Sequence, residues 1–270
     1  MLYIFCDEKI PTVSTAGHYH FSAVAFYQNR FNNSGLNSVR NLRQGGKSLL
    51  PQIEQALMDN GGIALISHAV VQTRFLSPGE KIKIVNIGEV AHTDLVWSIC
   101  MPFTIAKLGL RLLERSWAFR TIDIFYDSKG LKQKNRDSIE QYLRNNVTQH
   151  LRRFIEKSDK NLSDKNKLPR RKQRGIQSKS QLFPSRQAAG NLPVEINVLR
   201  IQEVKKSPSG SPPDKFQLGV WLADRIVRRN EEVASKKAGG SIITEDITND
   251  VNEVLIELFE LCSDYTSNKK

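Results

Sequence analysis

The sequence predicts an α/β layered domain. Short runs rich in β-branched and aromatic residues recur along it, as in LYIFC, HYHFSAVAFY, IALISHAVV and TIDIFYD. Longer segments with apolar residues at helical spacing lie between and after them. The order is strands first, then helix, strand, helix, strand, helix, which calls for a sheet with helices on its faces.

Residues 2–7 read as the first strand, followed by a turn-rich stretch from Pro11 to Gly17. Residues 18–27 read as a second strand with partial alternation. Residues 46–62 look helical up to a Gly61-Gly62 stop, with Pro51 near the start. Residues 63–71 are a strand of the fully buried type, and 81–90 another strand or extended edge. From Thr93 to Arg120 apolar residues recur at helical spacing, with Thr93 as N-cap and a kink expected at Pro102. The strand TIDIFYD then places Ile122, Ile124 and Tyr126 on one face and ends in Asp127. An amphipathic helix begins near Asn135.

Residues 158–192 are rich in Lys, Asn, Ser and Gln with few apolar anchors, and read as a flexible basic insertion. Residues 194–204 alternate as a strand, SPSGSPP is a linker, and a helix capped by Asp214 follows. Residues 241–270 read as a separate acidic amphipathic helix and tail, with Ile247, Val251, Val254, Leu258 and Leu261 on one stripe. That helix would dock on its own domain, pair two copies or meet a protein partner. The division is therefore a domain over 1–240, carrying the insertion, and a C-terminal helix over 241–270.

Charge narrows the partners. Of the net +12, the stretch 151–186 holds +9, from twelve Lys and Arg against three acids. Clustered positive charge gains affinity for a polyanion by releasing counterions, so nucleic acid, DNA or RNA, is the expected partner. Arg170, Arg171, Lys172 and Arg174 are its densest part, and Lys129 is a further candidate phosphate contact. Cys6, Cys100 and Cys262 are far apart in apolar contexts, which reads as buried thiols in a reducing cytoplasm. No apolar run of membrane-spanning length and no secretory leader are expected. QGGKS at 44–48 lacks the earlier glycine of a phosphate-binding loop, since Asn41 stands there. His18, His20, His68, His92 and His150 have no helical metal-ligand spacing.

Three acids at element ends carry the chemistry. Asp7, with Glu8 beside it, and Asp127 each close a strand-like run, and a strand end holds a side chain with little freedom left to lose. Asp224 lies on the helix of WLADRIVRR, beside the stripe of Phe216, Val220, Ala223 and Val227. A half-buried carboxylate there needs a cation: Arg225, Arg228 or a metal ion. Carboxylates converging from two strands and a helix make an all-oxygen site suited to Mg²⁺ or Mn²⁺, the kind that cleaves phosphodiesters.

These motifs resemble a prokaryotic family catalogued as a domain of unknown function, number 3800. Its members open with a strand into Asp-Glu-Ser-Gly and close with a helix bearing Gly-Ile-Gln-Leu-Ala-Asp. Here Asp7-Glu8 matches the first pair, with Lys9-Ile10 in place of Ser-Gly. Gly219 to Asp224 reads Gly-Val-Trp-Leu-Ala-Asp, with Trp221 where Gln is usual. Asp127 matches the family's central-strand acid, and either Glu203 or Asp214 would be its further acid before the last helix. The resemblance implies a ribonuclease H-like fold, a mixed sheet flanked by helices. It also implies a metal-dependent nuclease with Asp7, Asp127 and Asp224 as ligands and Glu8 as auxiliary ligand or base. The alternative is a non-catalytic nucleic-acid-binding or complex-forming subunit that keeps the fold.

Overall fold

The computed structural model describes residues 1–9, 17–31, 36–44, 50–71, 81–84, 88–127, 133–166, 196–205, 213–235 and 240–267. The main sheet comprises β1 (Leu2–Lys9), β2 (His18–Tyr27), β3 (Ile63–Val70), β6 (Thr121–Asp127), β7 (Asn197–Val204) and β8 (Ile242–Asp246), in the order β7-β6-β1-β2-β3-β8. Only β2 runs against its neighbours; the β1–β6, β6–β7 and β3–β8 pairs are parallel. β4 (Lys81–Ile84) and β5 (Gly88–Ala91) form a separate two-stranded hairpin where the sequence reads as one extended piece. This is an α/β protein with a six-stranded mixed sheet flanked by helices.

Helices cover both faces, so the central strands are apolar on both sides. On one face Leu2, Ile4 and Cys6 of β1 pack against α3 (His92–Glu114) and α4 (Gln133–Asn166). On the other, Tyr3 and Phe5 face α1 (Leu36–Gln44), α2 (Leu50–Asp59) and α5 (Lys215–Arg228). α6 (Asn230–Ser235) follows α5 directly, and α7 (Thr248–Ser267) follows β8. Pro102 sits inside α3 without ending it. Against expectation, the part of α3 from Asp94 to Glu114 is long and apolar enough to cross a membrane by length and composition. Most of it is buried in the fold.

The Gly61-Gly62 stop works as read. Gly61 takes a left-handed φ of 57°, its N–H donates to the Met58 carbonyl at 2.9 Å, and that of Gly62 to the Leu57 carbonyl at 2.7 Å. Three segments differ from the sequence reading. Leu36–Gln44 is helical; α4 continues to Asn166, into the stretch read as a loop; and Ile242–Asp246, expected to lie apart with the C-terminal helix, is a strand at the edge of the sheet. α7 starts from that strand and buries Ile247, Val251 and Leu255 in the α3 face of the core. The side chains of Leu258 and Leu261 lie outside the described residues, as does 167–195, which holds most of the basic insertion.

Candidate active site

All strands but β2 point the same way, so β1, β3, β6, β7 and β8 finish at one end of the sheet. The last β1–β6 pair is Cys6 with Tyr126; Asp7 and Asp127 are the next residues on each strand. Because side chains alternate, both follow Phe5 and Phe125 onto the α5 face. β1 continues two residues past Asp7, to Lys9, whereas Asp127 does end its strand. Asp7 is 9% exposed, and its Oδ1 accepts the Glu8 N–H at 2.8 Å.

α5 lies close over this end. A Cβ on Gly219 would stand 2.4 Å from the Phe5 ring, so only glycine lets the helix backbone approach β1 this closely. Ser22 of β2, the cross-strand partner of Asp7, donates its buried hydroxyl to the Ala223 carbonyl at 2.8 Å. The next residue is Asp224. Its carboxylate accepts from Arg228 Nε at 2.6 Å and stands 4.0 Å from Arg225 Nε. The hydrogen bond and charge of Asp224 raise the Arg228 pKa above its ordinary value, and the charge of Asp7 adds to the effect. One guanidinium therefore feels both carboxylates. Arg225 stacks over the Trp221 ring at 5.3 Å, and its Nε is buried without a hydrogen-bond acceptor.

The remaining candidates lie elsewhere. Glu8 is one residue out of phase with Asp7 and falls on the Leu2–Ile4–Cys6 side, the α3/α4 face. Glu203 pairs in register with Tyr126 on that same side, and its 5%-exposed carboxylate meets Arg136 at 2.8 Å. Next to it Tyr126 donates its hydroxyl to Glu140 at 3.0 Å; burial, and then Glu140, push the phenol pKa up. Asp214 is the N-cap of α5. It accepts the Gln217 N–H at 2.8 Å and donates its own N–H to the Gln217 side chain at 2.9 Å. Ten residues of helix, roughly 15 Å, separate it from Asp224. Glu203 thus lies on the opposite face from Asp7 and Asp127, and Asp214 at the other end of α5 from Asp224. Lys129, Arg170, Arg171, Lys172 and Arg174 lie outside the described residues.

A histidine group on the same rim escapes a search for helical spacing. His18 and His20 are two apart on β2 and share a face; His68 of β3 lies opposite His20. His18 Nδ1 and His68 Nε2 are 3.1 Å apart, and the rings are nearly coplanar with centroids 5.3 Å apart, the geometry of an in-line N–H···N bond. Lys9 Nζ donates to Asn230 Oδ1 at 3.0 Å, and the Asn230 amide nitrogen lies 3.1 Å from His20 Nε2. An ammonium only donates, so the Asn230 oxygen faces Lys9 and His20 Nε2 must accept. Burial first, then His68, Lys9 and His18, lower the His20 pKa to about 4. The readable signal was His-x-His within a strand. His150 is a core residue stacked on Phe103 at 3.9 Å.

Among the described residues, no three His, Cys, Asp or Glu side chains are already gathered into a metal-holding group. Asp7 pairs across the sheet with Ser22, which bonds the residue before Asp224, and the charges of both aspartates act on Arg228. Comparison with known proteins finds no match to this chain among family models, curated proteins or solved structures.

Proposed function

We propose that the protein is a metal-dependent nuclease on a ribonuclease H-like scaffold, as the resemblance of its motifs implies. The observation that carries the reading is that Asp7 and Asp127 stand at the same end of two adjacent parallel strands, under the helix that bears Asp224. The mixed sheet with β1 at its centre and helices on both faces is compatible with that scaffold.

The donor chemistry fits the ion expected. Asp7, Asp127 and Asp224 offer only carboxylate oxygens, which suit Mg²⁺ or Mn²⁺ over softer metals. Arg228 is no barrier: its side chain is 64% exposed, so water can take over the guanidinium when it leaves Asp224. A bound ion would supply Lewis-acid polarisation of a phosphodiester and activation of water. The chain's own residues do the rest. β1 and β6 hold Asp7 and Asp127 rigidly, and the Ser22–Ala223 bond fixes the height of Asp224 above them. Arg225 and Arg228, planar donors beside the carboxylates, suit the negative backbone of DNA or RNA.

The pairing of Asp224 with Arg228 favours a second reading, in which the arginine has permanently replaced the metal and the protein is a nucleic-acid-binding or complex-forming subunit. Labelled DNA and RNA incubated with and without Mn²⁺ separate the two. Mn²⁺-dependent cleavage that falls by orders of magnitude in Asp7→Asn and Asp224→Asn supports the nuclease. Binding without cleavage in every protein supports the subunit.

A further inference from the structure

α6 is held to the sheet by little. It follows α5 after one residue, Arg229, and is six residues long. Asn230 and Val233 are buried, whereas Glu231, Glu232 and Ala234 face water. Val233 is the apolar anchor, packed in the core on the α5 side. Asn230 is the polar one. Its oxygen accepts from Lys9 Nζ at the end of β1, and its amide nitrogen meets His20 Nε2 of β2.

This bridge fits one charge state of the histidine. Lys9 only donates, so the Asn230 oxygen is committed to it and the NH₂ needs His20 as acceptor. A proton on His20 Nε2 replaces that acceptor with a second donor. Turning the amide over would serve the imidazolium but set the NH₂ against the ammonium. Because the two branches of the amide aim at different partners, neither orientation serves both cations. We propose that the Lys9–Asn230–His20 bridge is a proton-operated latch, which fastens α6 to the rim while His20 is neutral and releases the helix when that imidazole is protonated. The latch needs neither a metal nor the nuclease reading.

The surroundings set its working range. Burial first, then His68 of β3, Lys9 of β1 and His18 of β2, hold the His20 pKa down to about 4, and Glu231 of α6 opposes them. Asp246 of β8, in register beyond His68, acts on that ring. The latch is therefore closed above pH 6.5 and opens as pH falls towards 4. The His18–His68 bond is less sensitive, since one imidazolium still donates to a neutral ring. The Lys9–Glu231 contact, 3.6 Å long with an 86%-exposed carboxylate, is too weak to replace the bridge.

Hydrogen exchange in the full chain tests the latch, read as protection factors so that the direct effect of pH on exchange cancels. The reporter is the Val233 N–H, which donates to the Arg229 carbonyl at 3.0 Å. Its protection should fall about fivefold between pH 7 and 4.5, beyond any change in the β1–β2 amides. That extra fall should vanish in His20→Gln. It should vanish too in Lys9→Met, where Asn230 can turn its oxygen to the imidazolium. In Asn230→Asp a carboxylate accepts from both cations, so protection should hold or rise on acidification. Lys9→Met and Asn230→Asp carry the test if His20→Gln folds poorly. No extra fall in the wild type, or the same fall in all three variants, overturns the latch. A fall in Asn230→Asp equal to that of the wild type overturns it as well, since a carboxylate is not stranded by that proton.

Discussion

The two faces of the sheet carry acids at the same end and hold them differently. On the α3/α4 face, Glu203 of β7 meets Arg136 of α4, joining two elements through a carboxylate that is 5% exposed. On the α5 face, Asp224 meets an arginine of its own helix, and that arginine is 64% exposed. A buried pair between elements cannot open without stranding a charge away from water. A pair within one helix whose arginine is solvent-exposed opens at a smaller cost, because the guanidinium passes into water. The first fastens strand to helix; the second joins residues of one helix. Similar carboxylates at one end of the sheet thus join two elements on one side and pair within a single helix on the other.

The largest expected effect falls on the fastened side. Arg136→Ala removes the ion pair of the 5%-exposed Glu203 carboxylate, and should cost about 3 kcal/mol of stability in urea unfolding. A loss under about 1 kcal/mol would put the two pairs on the same footing and erase the contrast. The histidine rim should show an intermediate effect. The folded pKa of His20, about 4, lies below its unfolded value, so its contribution is fully present above pH 6.5 and is lost as pH falls towards 4. His68, Lys9 and His18 act in that direction, and Glu231 opposes them. Between pH 7 and 4.5 the wild type should lose about 1 kcal/mol more than His20→Gln, a figure discounted because the ring is half exposed. Parallel melting curves for the two proteins would remove this rim from the account. The smallest effect is expected at the pair within α5: Asp224→Asn should lie within about 1 kcal/mol of wild type. A loss of several kcal/mol there would make Asp224 a fastener like Glu203.

Much of the architecture was readable because period and burial agree. β1 and β6 are apolar runs closed by acids, β3 is an apolar run that starts at the Gly61-Gly62 stop, and that stop is a glycine signal that the backbone uses directly. Asp7 and Asp127 share a face by simple alternation from Phe5 and Phe125. The same alternation sends Glu8 to the opposite face, a consequence that its adjacency to Asp7 conceals. Asp214 and Glu203 are acids at the right distance along the chain, but a cap and a buried pair have the same sequence appearance as a ligand. The polar end of α4, Ser158 to Asn166, carries few apolar anchors, so composition reads as loop where the helix continues. SIITED was obscured by the amphipathic helix that follows; a five-residue parallel strand is specified by its partner β3, about 175 residues earlier, and hardly by itself.

That last strand has a consequence for how the protein comes into being. β8 hydrogen-bonds along β3: the Ala64 N–H reaches the Ser241 carbonyl at 2.8 Å, and the Ile247 N–H the His68 carbonyl at 2.9 Å. Until residue 246 has been made, that side of β3 has no strand beside it. At about 5–20 residues per second the ribosome leaves the edge open for roughly 10–35 s. An apolar strand with unpaired backbone groups is a template for a second nascent chain during that interval. Neighbouring ribosomes on one message would bring such edges together, so the yield of folded protein should depend on synthesis rate and on chaperones that cover β3 while its partner is still being made.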